Sequence, residues 1–152
     1  MITKGLMSSN SSEWETPQDL FNELDQEFGF VLDPCSTKEN AKCQNFLTKE
    51  RDGLSYPWSE FDGPVFMNPP YGREIGKWVK KAYEESQIGI TVVCLLPART
   101  DTKYFHTYCM KGEIRFLKGR VYFTNQDGKN GRAPFPSMIV IFRRLNELRS
   151  LR

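Results

Sequence analysis

Histidine occurs only once, at His106, and the four cysteines, at 35, 43, 94 and 109, include no pair at Cys-x-x-Cys spacing. That excludes a Cys/His zinc site and a disulfide framework. The cysteines read as reduced intracellular thiols, and no metal is expected. No apolar run approaches the length that crosses a bilayer, and the first residues lack the hydrophobic segment of a secretory signal. The expected location is therefore the cytoplasm, with no membrane partner. Net charge is small, at +2, but it is unevenly spread. From Arg99 to Arg152 there are twelve Lys/Arg against four Asp/Glu, net +8, while the preceding residues hold nine against fifteen, net −6. A basic C-terminal third is the electrostatic footprint of a polyanionic partner.

Aromatic side chains are plentiful at 13 %, which favours a folded domain with stacking surfaces over disorder. A chain of 152 residues accommodates one domain with a substantial core. There is no internal repeat and no dividing linker. The expected organisation is a Ser-rich, flexible N-terminus over 1–12, a single domain over 13–143 and a basic tail over 144–152.

The most informative stretch is Val65-Phe66-Met67-Asn68-Pro69-Pro70-Tyr71-Gly72. The apolar triplet reads as a short buried strand, which the prolines end because they cannot donate to a sheet ladder. Ligands of open α/β sheets sit beyond the carboxyl ends of strands, so Asn68 to Tyr71 should line a site. Their chemistry suits methyl transfer to an exocyclic amine. Adenine N6 is a poor nucleophile because its lone pair is delocalised into the ring. Two acceptors facing the NH2 group, the Asn68 side-chain oxygen and the Pro69 carbonyl, would hold its hydrogens and localise that lone pair. Tyr71 offers a flat face for the base, a contact worth roughly 1–3 kcal/mol. The base must leave the duplex first, so flipping is implied.

The rest of the chain reads as alternating elements. Thr16 as N-cap and Pro17 at the first helical position open a helix through Leu20, Phe21, Leu24 and Phe28, closed by Gly29. Trp14 reads either as a staple over that helix start or as a ligand contact. Phe30-Val31-Leu32 is a strand, and Asp33 at its carboxyl end is placed either as a turn residue or to meet polar groups of a bound nucleoside or amino acid. A second short strand is expected near 43–47, and a turn at Asp52-Gly53-Leu54. After Gly72 comes an amphipathic helix with Ile75, Trp78, Val79, Ala82 and Tyr83 inward. Residues 90–96 suit a central parallel strand covered on both faces. Thr100 or Asp101 should cap a following helix. Residues 113–123 read as an interrupted strand, 124–137 as a loop, and Met138 to Phe142 as a final strand pairing antiparallel with it at one sheet edge.

Taken together, Trp14-Glu15-Thr16-Pro17, Leu32-Asp33-Pro34-Cys35, Glu39-Asn40-Ala41, Asp52-Gly53-Leu54, Asn68-Pro69-Pro70-Tyr71-Gly72, Leu96-Pro97-Ala98-Arg99, Gly119-Arg120-Val121 and Pro134-Phe135-Pro136-Ser137 resemble the phage-type DNA N-6-adenine methyltransferase family, over nearly the whole chain. The resemblance implies an α/β, Rossmann-like methyltransferase fold, its mostly parallel sheet carrying an antiparallel edge and flanked by helices. It also implies S-adenosylmethionine as methyl donor and a phage- or prophage-encoded protein in a bacterial host. It places Thr16, Pro17, Asp33, Pro34 and Cys35 beside the donor's methionine end, with Trp14 among the cofactor contacts. Asn40 falls at the ribose and Asp52 at the adenine amino group, while Asn68, Pro69, Pro70 and Tyr71 hold the target base. Many methyltransferases have a glycine-rich turn after the first strand; here the turn is Cys35-Ser36-Thr37-Lys38.

The chain has no room for a separate target-recognition domain. Double-stranded DNA would instead be met by loops, through Arg99, Lys103, Lys118, Arg120, Lys129 and Arg132. Either a short recognition site or help from dimerisation is expected, the chain being a monomer or weak homodimer. Two other readings share these motifs: a methyltransferase acting on RNA or a protein glutamine amide, and a catalytically silent DNA-binding relative.

Overall fold

A computed structural model describes residues 14–124 and 130–145. The expected flexible segment 1–12, Lys129 and the tail from 146 onward lie outside the described residues. Six strands form one sheet in the order β2-β1-β3-β4-β8-β5, where β1 is Leu32–Asp33, β2 Asn45–Phe46, β3 Val65–Met67, β4 Val92–Pro97, β5 Glu113–Phe116 and β8 Ser137–Phe142. β2, β1, β3 and β4 run parallel, while β8 is antiparallel to both β4 and β5. The expected mostly parallel sheet is present, with the antiparallel pairing of β5 and β8 at one edge.

Three helices are described: α1 Gln18–Phe28, α2 Ile75–Ile88 and α3 Lys103–Thr107. In α2, Ile75, Trp78, Val79 and Ala82 are buried, as their 3-4 spacing dictates, and in α1 Phe21 and Leu24 are. β4 and β8 are buried along their whole lengths, which explains their unbroken apolar sequences. No helix among the described residues is long and apolar enough to cross a membrane.

Four local expectations differ. The strand expected over Phe30-Val31-Leu32 is β1 at Leu32–Asp33, with Phe30 and Val31 before it. α1 starts at Gln18 with Pro17 as its N-cap, so Thr16 caps nothing and its hydroxyl is left for another partner. α3 is capped by Thr102, whose side chain accepts from the Phe105 N–H, and not by Thr100 or Asp101. The expected loop over 124–137 contains a strand, β7 Asn130–Arg132, which pairs with β6 Tyr122–Thr124 as a separate two-stranded ribbon. Phe123 and Ala133 anchor that ribbon inward, while Tyr122 and Arg132, directly opposite each other, face out.

Candidate active site

Chain order makes the cleft. β1 is followed by β2 on one side, while β3 and β4 lie on the other, so the strand order reverses between β1 and β3. Connections leaving in opposite directions open a crevice at the carboxyl ends of those two strands. A cavity of about 650 Å³ occupies it, lined by residues following β1, β2 and β3. Its wall includes Trp14, Thr16, Asp33, Pro34, Cys35, Asn40, Asp52, Asn68, Pro69 and Pro70, and thus most of the residues picked out in the sequence.

Two of those picked out stand elsewhere. Pro17 is not in the wall; its carbonyl accepts from the Phe21 N–H in the first turn of α1. Tyr71 is not an open plate for a base. Its hydroxyl donates to the Leu95 carbonyl at 2.8 Å, and its ring is only 5 % exposed, edge-on to Phe123 and Phe135. It braces the Asn-Pro-Pro turn against β4 and the ribbon. Burial keeps its phenol well above the ordinary range, so the hydroxyl stays a donor.

The wall also holds residues that the sequence reading passed over: Thr48, Glu50, Gly53 and Trp78. Trp78 obeys the helical core pattern, which hid its second surface. Gly53 was legible only as a turn residue. Its requirement is spatial: a Cβ there would lie 2.1 Å from the Pro34 carbonyl oxygen and about 3 Å from the Trp78 ring. Trp58 donates from Nε1 to the Gly53 carbonyl at 2.8 Å, which fixes the turn from behind.

Asp33 lies in the floor. Its carboxylate accepts from the backbone N–H groups of Lys42 at 3.2 Å and Cys35 at 3.4 Å, so it shapes the Cys35–Lys42 turn that stands where a glycine-rich turn is usual. Burial pushes its pKa up to about 6, although those two N–H groups pull the other way. Asn40 closes the turn by accepting from the Thr37 N–H at 2.7 Å. Asp52, at φ +52, accepts from the Leu54 N–H and the Ser55 hydroxyl. The Cys35 thiol points at the Asn68 backbone carbonyl, and burial raises its pKa well above the ordinary range, which keeps it in the thiol form.

Asn68 is the central group. Its Nδ2 donates to the Trp14 carbonyl and, at 3.0 Å, to the Thr16 hydroxyl oxygen. The carbonyl can only accept, so the amide nitrogen must face it. The side-chain oxygen Oδ1 therefore points the other way, buried and with no hydrogen-bond partner among the described residues. An unpaired buried acceptor costs roughly 1–3 kcal/mol and has a lone pair to offer a donor.

Arg99, Lys103, Lys118, Arg120 and Arg132, the basic residues expected to meet a polyanion, are all exposed. Arg99 follows β4 and Lys118 and Arg120 follow β5, at the same end of the sheet as the cleft. The Arg99 guanidinium lies 5.7 Å from the Phe135 ring, and that of Arg132 lies 5.5 Å from the Tyr122 ring. No group of His, Cys, Asp and Glu among the described residues is arranged to hold a metal ion.

A strand order reversing beside a nucleoside-sized cleft, with Asn-Pro-Pro-Tyr closing β3, is the arrangement of an α/β methyltransferase. Residues 4–151 match the family described as DNA N-6-adenine-methyltransferase (Dam). The chain belongs to that family. It is 32 % identical to the DNA N-6-adenine-methyltransferase of Haemophilus phage HP1, over 93 % of this chain and 85 % of the relative. It is 33 % identical to that of Escherichia phage T1, over 60 % of this chain and 38 % of that longer relative.

Proposed function

We propose that this chain transfers a methyl group from S-adenosylmethionine to N6 of an adenine flipped out of double-stranded DNA. The observation that carries the reading is the buried, unpartnered Oδ1 of Asn68, a residue of the cleft wall. Family membership narrows the acceptor to DNA adenine. The cavity suits the donor in size and in chemistry: carboxylates for its amine and hydroxyl groups and the Trp78 ring for a flat heterocycle.

The bound donor supplies an electrophilic methyl group on a sulfonium. Asn68 Oδ1, joined by the Pro69 carbonyl, accepts the N6 hydrogens. As the N6–methyl bond forms, the methyl–sulfur bond breaks and its electron pair stays on sulfur as a neutral thioether, while N6 becomes cationic and its hydrogens more acidic. The Asn68 contact is therefore stronger in the transition state than before it, and that difference is what accelerates the reaction. One N6 proton is then lost to solvent. Tyr71 holds the Asn-Pro-Pro turn in place. Arg99, Lys103, Lys118, Arg120, Lys129 and Arg132 meet the DNA, chiefly its phosphates.

The reading is tested by incubating the protein with labelled S-adenosylmethionine and methylation-free DNA, RNA or protein, followed by nucleoside analysis. N6-methyladenine in DNA supports it. Label in RNA or protein alone redirects it to another amino acceptor, and DNA binding without donor binding would mark a silent relative.

Asp33 gives donor binding a pH signature. With its pKa near 6 in the folded protein, the carboxylate is charged above that pH and neutral below. Donor affinity should fall as pH drops through about 6, by up to about tenfold per unit. Asp33→Asn should flatten the profile. Folding has the opposite sense. Because the folded pKa lies above the ordinary 3.8, Asp33's contribution to stability is greatest below 3.8 and is lost as pH rises through about 6. Quenching of Trp14 and Trp78 fluorescence by the donor between about pH 5 and 7.5, and thermal melts from about pH 3.5 to 7, separate the two effects.

A further inference from the structure

We propose that Thr16 is a positioning residue for the catalytic amide: its hydroxyl oxygen and the Trp14 carbonyl together hold Asn68 Nδ2 and so turn Oδ1 to the target amine. The inference rests on the role given to Asn68 above, and it replaces the donor contact that the sequence resemblance implies for Thr16.

An asparagine amide has two orientations of nearly the same shape, half a turn apart, and only its oxygen accepts. If it rotated freely, each binding event would have to select the working orientation. Here the choice is made by the fold. The Trp14 carbonyl has no hydrogen to give, so a turned amide would set oxygen against oxygen there and present a second donor to the target NH2. The Trp14 carbonyl takes one Nδ2 hydrogen, and Thr16 Oγ1, at 3.0 Å, takes the other. Thr16 is 4 % exposed, so water does not compete for its place.

Neither partner is free to wander. The Trp14 ring sits between Phe123 and Phe135, each with its centroid 5.5 Å away, and α1 starts immediately after Pro17. The amide is thus ordered when the protein folds, not when the base arrives. Because Phe123 belongs to the β6–β7 ribbon that carries Arg132, the same strut ties the amide to the DNA-facing side of the molecule.

The test compares Thr16→Val, which removes the acceptor at similar volume, with Thr16→Ser, which keeps it. Thr16→Ala takes the place of the valine variant if that fails to fold. The first readout is the side-chain amide signal of Asn68 by 1H–15N NMR, identified by its loss in Asn68→Ala. The second is single-turnover methylation of methylation-free DNA, with donor affinity measured alongside. In Thr16→Val one Nδ2 proton should move upfield and exchange faster. The methylation rate should fall about tenfold to thirtyfold, the loss expected for one hydrogen bond, with donor affinity within about twofold. Thr16→Ser should restore both. An unmoved Asn68 signal in a folded variant overturns the proposal, whatever the wild-type protein methylates. A donor affinity that falls in step with the rate also overturns it and returns Thr16 to the donor site. A wild-type protein that leaves DNA unmethylated while the Asn68 signal responds as expected defeats the functional reading and leaves the hold on the amide standing.

Discussion

Asn68→Ala should lower methyl transfer by about two to three orders of magnitude, the loss seen when one preorganised group facing developing charge is removed. Donor affinity should change little. Asn68 is one wall residue among many, its oxygen turned away from the Trp14 and Thr16 contacts, and Asp33, Asn40 and the 52–53 turn line the rest of the cleft independently of it. Truncation also leaves the Trp14 carbonyl and Thr16 hydroxyl without the Nδ2 they now hold, so a modest loss of stability, about 1 kcal/mol, should accompany it. Rate and binding must therefore be measured apart. Single-turnover methylation with donor and DNA both saturating reports the chemical step, and calorimetric titration reports the donor. A variant that methylates at the wild-type rate would remove Asn68 from the mechanism. One that loses donor binding and activity together would move Asn68 into the donor site.

Much of this arrangement can be read from the sequence because its signals are local. Val65-Phe66-Met67 followed by two prolines can only be a buried strand that ends, and the carboxyl end of such a strand is where an α/β site lies. The apolar runs of β4 and β8 and the periodicity of α2 are equally direct. What escaped is set by partners distant in sequence. The direction of the Asn68 amide is decided by residues 52 and 54 positions earlier, which no window along the chain reveals. Thr16-Pro17 carries a sound capping signature, yet the helix begins one residue later and the hydroxyl is used elsewhere. Tyr71 sits beside the motif that defines the site, but the ribbon folds over its ring. That ribbon itself went unread because Asn130-Gly131-Arg132 has no strand alternation; Phe123 and Ala133, packed into the core at its base, hold it down.

Gly53→Ala should be the most damaging single-methyl addition in the cleft. The new Cβ would lie 2.1 Å from the Pro34 carbonyl oxygen, far inside contact distance, and 3.0 Å from Cη2 of Trp78. Neither neighbour yields easily. Pro34 is fixed by its ring and by Asp33, whose carboxylate anchors the turn through Cys35 and Lys42, while Trp78 stacks on Trp58 with centroids 6.5 Å apart. Gly53 cannot back away either, because Trp58 Nε1 holds its carbonyl. The strain must push the 52–54 turn and the 33–35 turn apart, and both turns line the cleft. Overpacking of this kind costs about 1–3 kcal/mol. In a chain of this size that lowers the melting temperature by several degrees, roughly 2–4 °C per kcal/mol. Donor affinity should fall more steeply than stability, by at least about tenfold, since the displaced atoms are the walls themselves. Thermal melts with and without S-adenosylmethionine read both quantities at once: a lower melting temperature alone and a much smaller rise on adding donor. A variant with the wild-type melting temperature and the wild-type rise would mean that the two turns separate without cost, and that the close approach at Gly53 is not what shapes the cleft.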